Sequence, residues 1–220
     1  LALYLTTLQR GVSLPDSAVI IEAMQRPVVS AFACNHTLNN LVGWLVCRVV
    51  PFGTAAWRGN AVSALYGAAL AGLFCALVRR LGGSRPLAGL CTASLAVSHG
   101  VWWHSTVVEN YALSSVFLLV CGHLVLAPPR EPSQRCRRVF TLFFVAGLAL
   151  LNHLQNGVLL AACACALPDW HPRRSREWLW ALAGAAAGTA PYLALAVWEV
   201  AGGRAGASWS AWLLGGGGFE

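Results

Sequence analysis

Residues 61–78, AVSALYGAALAGLFCALV, run without a single charged side chain and end on Arg79-Arg80. At about 1.5 Å of rise per residue, a helix over this run is close to the ~30 Å depth of a bilayer's hydrocarbon. Backbone polar groups in hydrocarbon must be paired within the segment, so such a run forms a helix. Four more apolar runs follow: 86–103, 107–127, 139–167 and 178–200, the run 139–167 being broken at Asn152-His153. Charged residues make up 10% of the chain and hydrophobic ones 57%, with a mean hydropathy of +0.61. Soluble domains carry about 25% charged residues, so this chain could not cover a core in water. It is read as an all-α, polytopic transmembrane protein.

All 15 basic residues are Arg, and ten of them fall in three clusters at 79–85, 130–138 and 173–176. Short clusters between apolar runs are topology signals and not a nucleic-acid face. The positive-inside rule puts all three clusters in the cytoplasm. The runs 61–78, 86–103 and 107–127 then cross outward-to-inward, inward-to-outward and outward-to-inward. Residues 139–167 must leave and return on one side, as two short helices hinged near Asn152. The same bookkeeping places residues 10–60 and the Gly-rich tail 201–220, with Trp209 and Trp212, outside. Residues 1–9 are apolar but too short to span, and read as the end of a truncated first transmembrane segment. Residues 61–200 form the transmembrane helix bundle, and the chain reads as part of a longer protein. Residues 38–50 suit an interfacial helix ended by Pro51-Phe52-Gly53.

The eight cysteines are scattered and form no C-x-x-C pair, so they read as small apolar filler. His99 and His104 lack the Cys or carboxylate partners of a zinc site, and no metal is expected. Asn35-His36-Thr37 is an N-glycosylation triplet, a pattern frequent by chance.

The acidic residues are few enough to weigh singly. Asp16 is the sole aspartate in the first 168 residues. Pro15-Asp16 suits a helix start, where Pro fits the first position and an acid complements the dipole. Glu22 lies about 240° from Asp16 around such a helix, so the two do not share a face. Thr106-Val-Val-Glu109 matches a capping box opening the run at 107–127. The functional alternative for Glu109 is a carboxylate at the outer mouth of a membrane cavity. Tyr111 reads as an interface aromatic. Asn152-His153 places polar groups at membrane depth, where they need partners or water.

Taken in order, these features resemble a family of membrane glycosyltransferases of the GT-C type. It includes the protein O-mannosyltransferases and many bacterial relatives. LTTLQRGVSLPDS is similar to the junction of first span and first loop, which carries Asp-Ser-Gly-Glu or a variant. Asn35-His36-Thr37-Leu38 is similar to a His-Pro stretch before an amphipathic helix. PFGTAAWRGNAVSALYGA resembles the loop into the next full span, with Arg58 and Asn60 in matching places. SHGVWWHSTVVENYAL resembles a Trp-x-x-x-x-x-Glu-x-Tyr segment, here Trp103, Glu109 and Tyr111. GLALLNHLQNG resembles a Gly-Leu-x-x-x-Asn-His segment, here Asn152-His153. Two positions depart: Ala18-Val19 stand for Gly-Glu, and Thr37 for Pro.

The resemblance implies a GT-C bundle whose external first loop carries short interfacial helices. It implies transfer of a hexose, mannose being one candidate, from a polyprenyl-phosphate sugar to a protein or glycan hydroxyl. Asp16 would be the general base on the outer or luminal face. His36, Arg58, Asn60, His104, Glu109, Tyr111, Asn152 and His153 would shape the substrate pocket. Arg58 and His36, with Arg26 and His104 behind them, are candidates to meet the leaving phosphate. The partners implied are membrane lipid, the lipid-linked sugar and the acceptor; the setting is a bacterial inner membrane or the endoplasmic reticulum. The motif departures keep open a degenerate member acting as a scaffold. A transporter predicts ionisable groups deep within spans and repeated halves, whereas here the acids cluster at helix ends and no repeat is visible.

Overall fold

The computed structural model describes residues 1–13, 15–25, 36–127, 132–166 and 175–201. Among them every regular element is helical. Arg26, Asn35, Arg130, Arg173, Arg174 and the tail with Trp209 and Trp212 lie outside the described residues. Two described helices, Ala55–Arg80 and the stretch Arg176–Leu195, are long and apolar enough to cross a membrane. The chain divides into two compact units, residues 1–28 with 38–119, and residues 29–37 with 120–220.

The first unit is built on α4 (Ala55–Arg80), whose 26 residues reach about 39 Å. The side chain of Thr54 caps its start by accepting the Trp57 amide. The helix therefore begins six residues before the apolar run at 61–78, and its first turns bring Arg58 and Asn60 onto a rigid element. A short α1 (Ala2–Thr6) packs on α4 through the fully buried Tyr4. Gly67 makes room: a Cβ there would stand 3.0 Å from the Tyr4 ring and would clash with Ser105. The Tyr4 hydroxyl donates to Ala96 O at 3.1 Å, on α5 (Arg85–Val97). A break at Ser98 separates α5 from α6 (His99–His104), so the run at 86–103 is two helices in sequence.

Helix α2 (Pro15–Gln25) follows an extended stretch, and α3 (Thr37–Val49) comes next. Ile20, Ile21 and Met24 of α2 form a buried cluster with Val108, and Cys47, Ala55 and Ala56 pack on it. Met24 lies directly over Gly43 of α3, where a Cβ would collide with it. The other side of α3 shows Leu41, Leu45 and Val49 at one-turn intervals, all exposed. Arg48 covers the Trp44 ring at 5.0 Å. The chain then reverses at Gly53, whose φ of 78° is the left-handed region that glycine adopts freely.

Helix α7 (Tyr111–Leu126) starts later than the capping-box reading requires. Thr106 Oγ1 donates back to Trp103 O, and the Ser114 amide bonds to Asn110 O. Asn110 thus opens the helix. The capping-box expectation is corrected: Glu109 belongs to the loop before α7 and not to its first turn.

In the second unit α8 (Pro132–Leu148) lies along α10 (Ser175–Ala201). The register runs through Arg135 on Glu177 at 2.7 Å, Phe140 against Trp180 edge to face, and Gly147 near Ala185 and Thr189. Residue numbers increase together along both helices, so they are parallel. Gly184 and Gly188, four apart, face the backbone of Phe140 and Phe144 so closely that any Cβ would strike the carbonyls. This is the small-residue spacing by which membrane helices approach one another. Arg138 donates from Nε to Leu124 O at 2.6 Å and from its other end to Val125 O, covering the last carbonyls of α7. After α8 the chain breaks into two 3-10 turns, Ala149–Leu151 and Leu154–Gly157, before α9 (Val158–Cys165). The break falls at Asn152-His153. Cys47, Cys75, Cys91, Cys121, Cys136, Cys163 and Cys165 are all free thiols.

Candidate active site

The sequence-selected residues fall in two groups. Asp16, Arg58, Asn60, His104, Glu109 and Tyr111 belong to the first unit; His36, Asn152 and His153 belong to the second.

In the first unit, Asp16 lies in the first turn of α2 with its side chain exposed, while its neighbour Ser17 is fully buried. One hundred degrees separate adjacent helix positions, so the packing that buries Ser17 turns Asp16 toward the surface. Ser17 Oγ donates to Val108 O at 3.1 Å and lies 3.5 Å from Glu109 Oε1. Glu109 is only 4% exposed. Its amide donates to Ser63 Oγ at 3.4 Å. Burial first, and then the negative charge of Asp16, push the Glu109 carboxyl above the usual carboxylate range, against an opposing contact with Ser17. An exposed carboxylate is thus backed by a buried carboxyl on a separate segment.

Asn60 ties those segments together. Its Nδ2 donates to Gln9 O at 2.7 Å and Gly11 O at 3.3 Å, and its Oδ1 accepts the Val108 amide at 2.7 Å. The side chain is fully buried and both its ends are engaged. The stretch leading to Asp16 and the loop bearing Glu109 are therefore fastened to one point on α4. Gln9 N also donates to Thr106 O, and Trp102 Nε1 to Thr7 Oγ1 at 3.0 Å. Arg58, two residues nearer the start of α4, donates from one nitrogen to Cys47 O at 2.8 Å and Val50 O at 3.0 Å. It caps the end of α3 with a charge of the favourable sign. His104 and Tyr111 meet ring to ring at 4.7 Å, flanking the Glu109 loop.

In the second unit, His36 Nδ1 bonds to Asn152 O at 2.9 Å, and the His36 and His153 rings stack at 5.1 Å and 20°. A carbonyl only accepts, so His36 carries its proton on Nδ1. His153 Nδ1 accepts the Gln155 amide at 3.1 Å and caps the second 3-10 turn, so its proton sits on Nε2. Asn152 is fully buried, and Asn156 Nδ2 donates to Ala149 O at 2.9 Å. The polar break at 152–156 is thereby hydrogen-bonded within its own unit and to the residue just before α3.

Two residues of the first unit were not singled out from sequence, Ser17 and Ser63. The signal for Ser63 was present: Asn60, Ser63 and Gly67 recur at three- and four-residue spacing, a small and polar stripe on an otherwise apolar helix. Among the described residues no group of three or more His, Cys, Asp or Glu could hold a metal ion.

Residues 36–168, more than half of the chain, match the family described as the protein O-mannosyl-transferase TMEM260 N-terminal domain. The chain belongs to that family. The matched stretch takes in Arg58, Asn60, Glu109 and Asn152-His153, and begins after Asp16. A mouse (Mus musculus) relative, protein O-mannosyl-transferase TMEM260, is 29% identical over 161 residues. That alignment covers 72% of this chain and 22% of the relative, so the chain spans about a fifth of the relative's length. No solved structure matches the chain.

Proposed function

We propose that this chain is the N-terminal membrane portion of a GT-C-type glycosyltransferase that moves a hexose from a polyprenyl-phosphate sugar to a hydroxyl of a protein or glycan. The acceptor and donor meet at the external or luminal face. The Asp16 carboxylate takes the proton of the acceptor hydroxyl as its oxygen attacks C1 of the sugar. The C1–O bond to phosphate breaks, and the polyprenyl phosphate leaves with the bonding electrons. A lipid-borne donor places this chemistry at the membrane surface, so the base must be a surface group held firmly beside the bilayer. The observation that carries the reading is the Asp16 turn itself: an exposed carboxylate anchored by the buried Ser17, on a segment fastened by Asn60 to the membrane-length helix α4. Within the unit that carries Asp16, Arg58, His104 and Tyr111 supply donors and aromatic surface for the leaving phosphate and the sugar.

The donor class is tested with the full-length protein in membranes, offered radiolabelled hexose on a polyprenyl phosphate or on a nucleotide. Transfer from the lipid-linked sugar alone supports the reading. Transfer from the nucleotide sugar alone overturns the donor assignment, and transfer from neither favours a non-catalytic scaffold.

A further inference from the structure

Glu109 has a position that substrate contact does not explain. Its side chain is almost completely enclosed, at 4% exposure, while the carboxylate assigned to the chemistry is exposed. Its partners are protein groups: Ser63 Oγ on its amide and Ser17 Oγ at 3.5 Å from Oε1. Ser17 has one hydrogen to give. The shorter of its two contacts, 3.1 Å, goes to Val108 O, which can only accept. With that hydrogen committed, the remaining contact is satisfied when the proton lies on the Glu109 carboxyl. Burial first, and then the charge of Asp16, raise the Glu109 carboxyl and favour its neutral form. Asp16 is the charged group acting on Glu109 from α2, and from α4 the Ser63 hydroxyl meets its amide.

We infer that Glu109 is a positioning residue: a buried carboxylic acid that holds Ser17 and through it aims the adjacent Asp16 carboxylate. The inference rests on the transferase reading above and deepens it. It gives Glu109 a place behind the base, with no contact to sugar or lipid. Ser17 is the link, because it is next to Asp16 in the same helical turn and reaches both Val108 and Glu109.

Steady-state transfer from polyprenyl-phosphate hexose by the full-length protein tests this, with Glu109→Ala, Glu109→Gln, Ser17→Ala and the Ser17→Ala/Glu109→Ala pair. Glu109→Ala should lower kcat by about 100-fold, the cost of a base misplaced by roughly 1 Å, with the donor KM unchanged. Glu109→Gln, which keeps the shape and cannot ionise, should recover most of that loss even if the alanine variant folds poorly. The double variant should be no worse than the worse single one, because both break one chain of contacts. A raised donor KM with unchanged kcat would move Glu109 onto the substrate and overturn the inference. So would a Gln variant as impaired as Ala, which would make the ionised carboxylate the working group. Absence of transfer by the wild type itself would overturn the transferase reading, and this inference with it.

Discussion

Asn60→Ala should be among the most damaging single substitutions in the first unit. The change removes three hydrogen bonds made at 2.7, 3.3 and 2.7 Å. The losses are unequal. Val108 is fully buried, so its amide is left with no acceptor and no water, at about 1–3 kcal/mol. Gln9 O is half-buried and loses about 1 kcal/mol, while Gly11 is exposed and water replaces its partner at little cost. Together these come to about 3 kcal/mol. At roughly 2–4 °C per kcal/mol for a chain of 220 residues, the thermal midpoint of the purified protein should fall by about 6–12 °C. Asn60→Asp refines the test. The aspartate keeps the acceptor for Val108 but aims a carboxylate at two carbonyl oxygens. To donate to Gln9 O it must hold a proton, so its folded pKa lies above its unfolded one. Its stability is therefore present at low pH and lost as pH rises through the raised value. Thermal scans of both variants from pH 4 to pH 8 read this directly. A shift under 2 °C for Asn60→Ala, or an Asn60→Asp deficit that does not vary with pH, would refute the clamp.

Three further expectations follow from particular contacts. Glu109 is raised above the usual carboxylate range by burial and by Asp16, so the folded wild type loses stability as pH rises from about 4 toward neutrality; Glu109→Gln should raise the midpoint at pH 7 and lose that advantage near pH 4, and an equal gain at both values would contradict the protonation argument. Gly188→Leu would drive a side chain into the Phe144 carbonyl, so α8 and α10 should separate and trypsin should reach the α8–α9 region in membranes, while unchanged protection would count against the parallel packing. Arg58→Ala strips the cap from the Cys47 and Val50 carbonyls at a cost of about 1.5–3 kcal/mol, read as faster amide exchange in the last turn of α3; exchange confined to the start of α4 would show that the contact is not holding α3.

Much of the helical plan was legible because membrane-depth apolar runs allow few alternatives. The run at 61–78 sits within α4, the interfacial segment 38–50 coincides with α3, and the interruption at Asn152-His153 is the break between α8 and α9. What escaped the sequence was decided by contacts between segments far apart in the chain. Thr106-Val-Val-Glu109 has the local spacing of a capping box, yet Ser17, from 92 residues away, and Ser63 hold Glu109 in a loop instead. Ser98, ahead of His99, splits one apolar run into two helices, which hydropathy alone does not register. Of the candidate residues, Asp16, Asn60 and Glu109 are tied into one constellation. Nothing in their spacing announces this, since residues 16, 60 and 109 meet only through the fold. Of the serines that join them, Ser63 lies on the Asn60-Ser63-Gly67 stripe of α4, while Ser17 carries no such periodic signal.

The central claim is that Asp16 is the base of a lipid-linked glycosyl transfer, and Asp16→Asn tests it most directly. The side chain is exposed and its neighbour Ser17 keeps its own bonds, so the variant should fold as the wild type does. Hexose transfer from a radiolabelled polyprenyl-phosphate sugar, measured on the full-length protein, should fall by about 10²–10⁴-fold, the span of general-base contributions. Equal incorporation by wild type and variant would remove Asp16 from the chemistry and contradict the account.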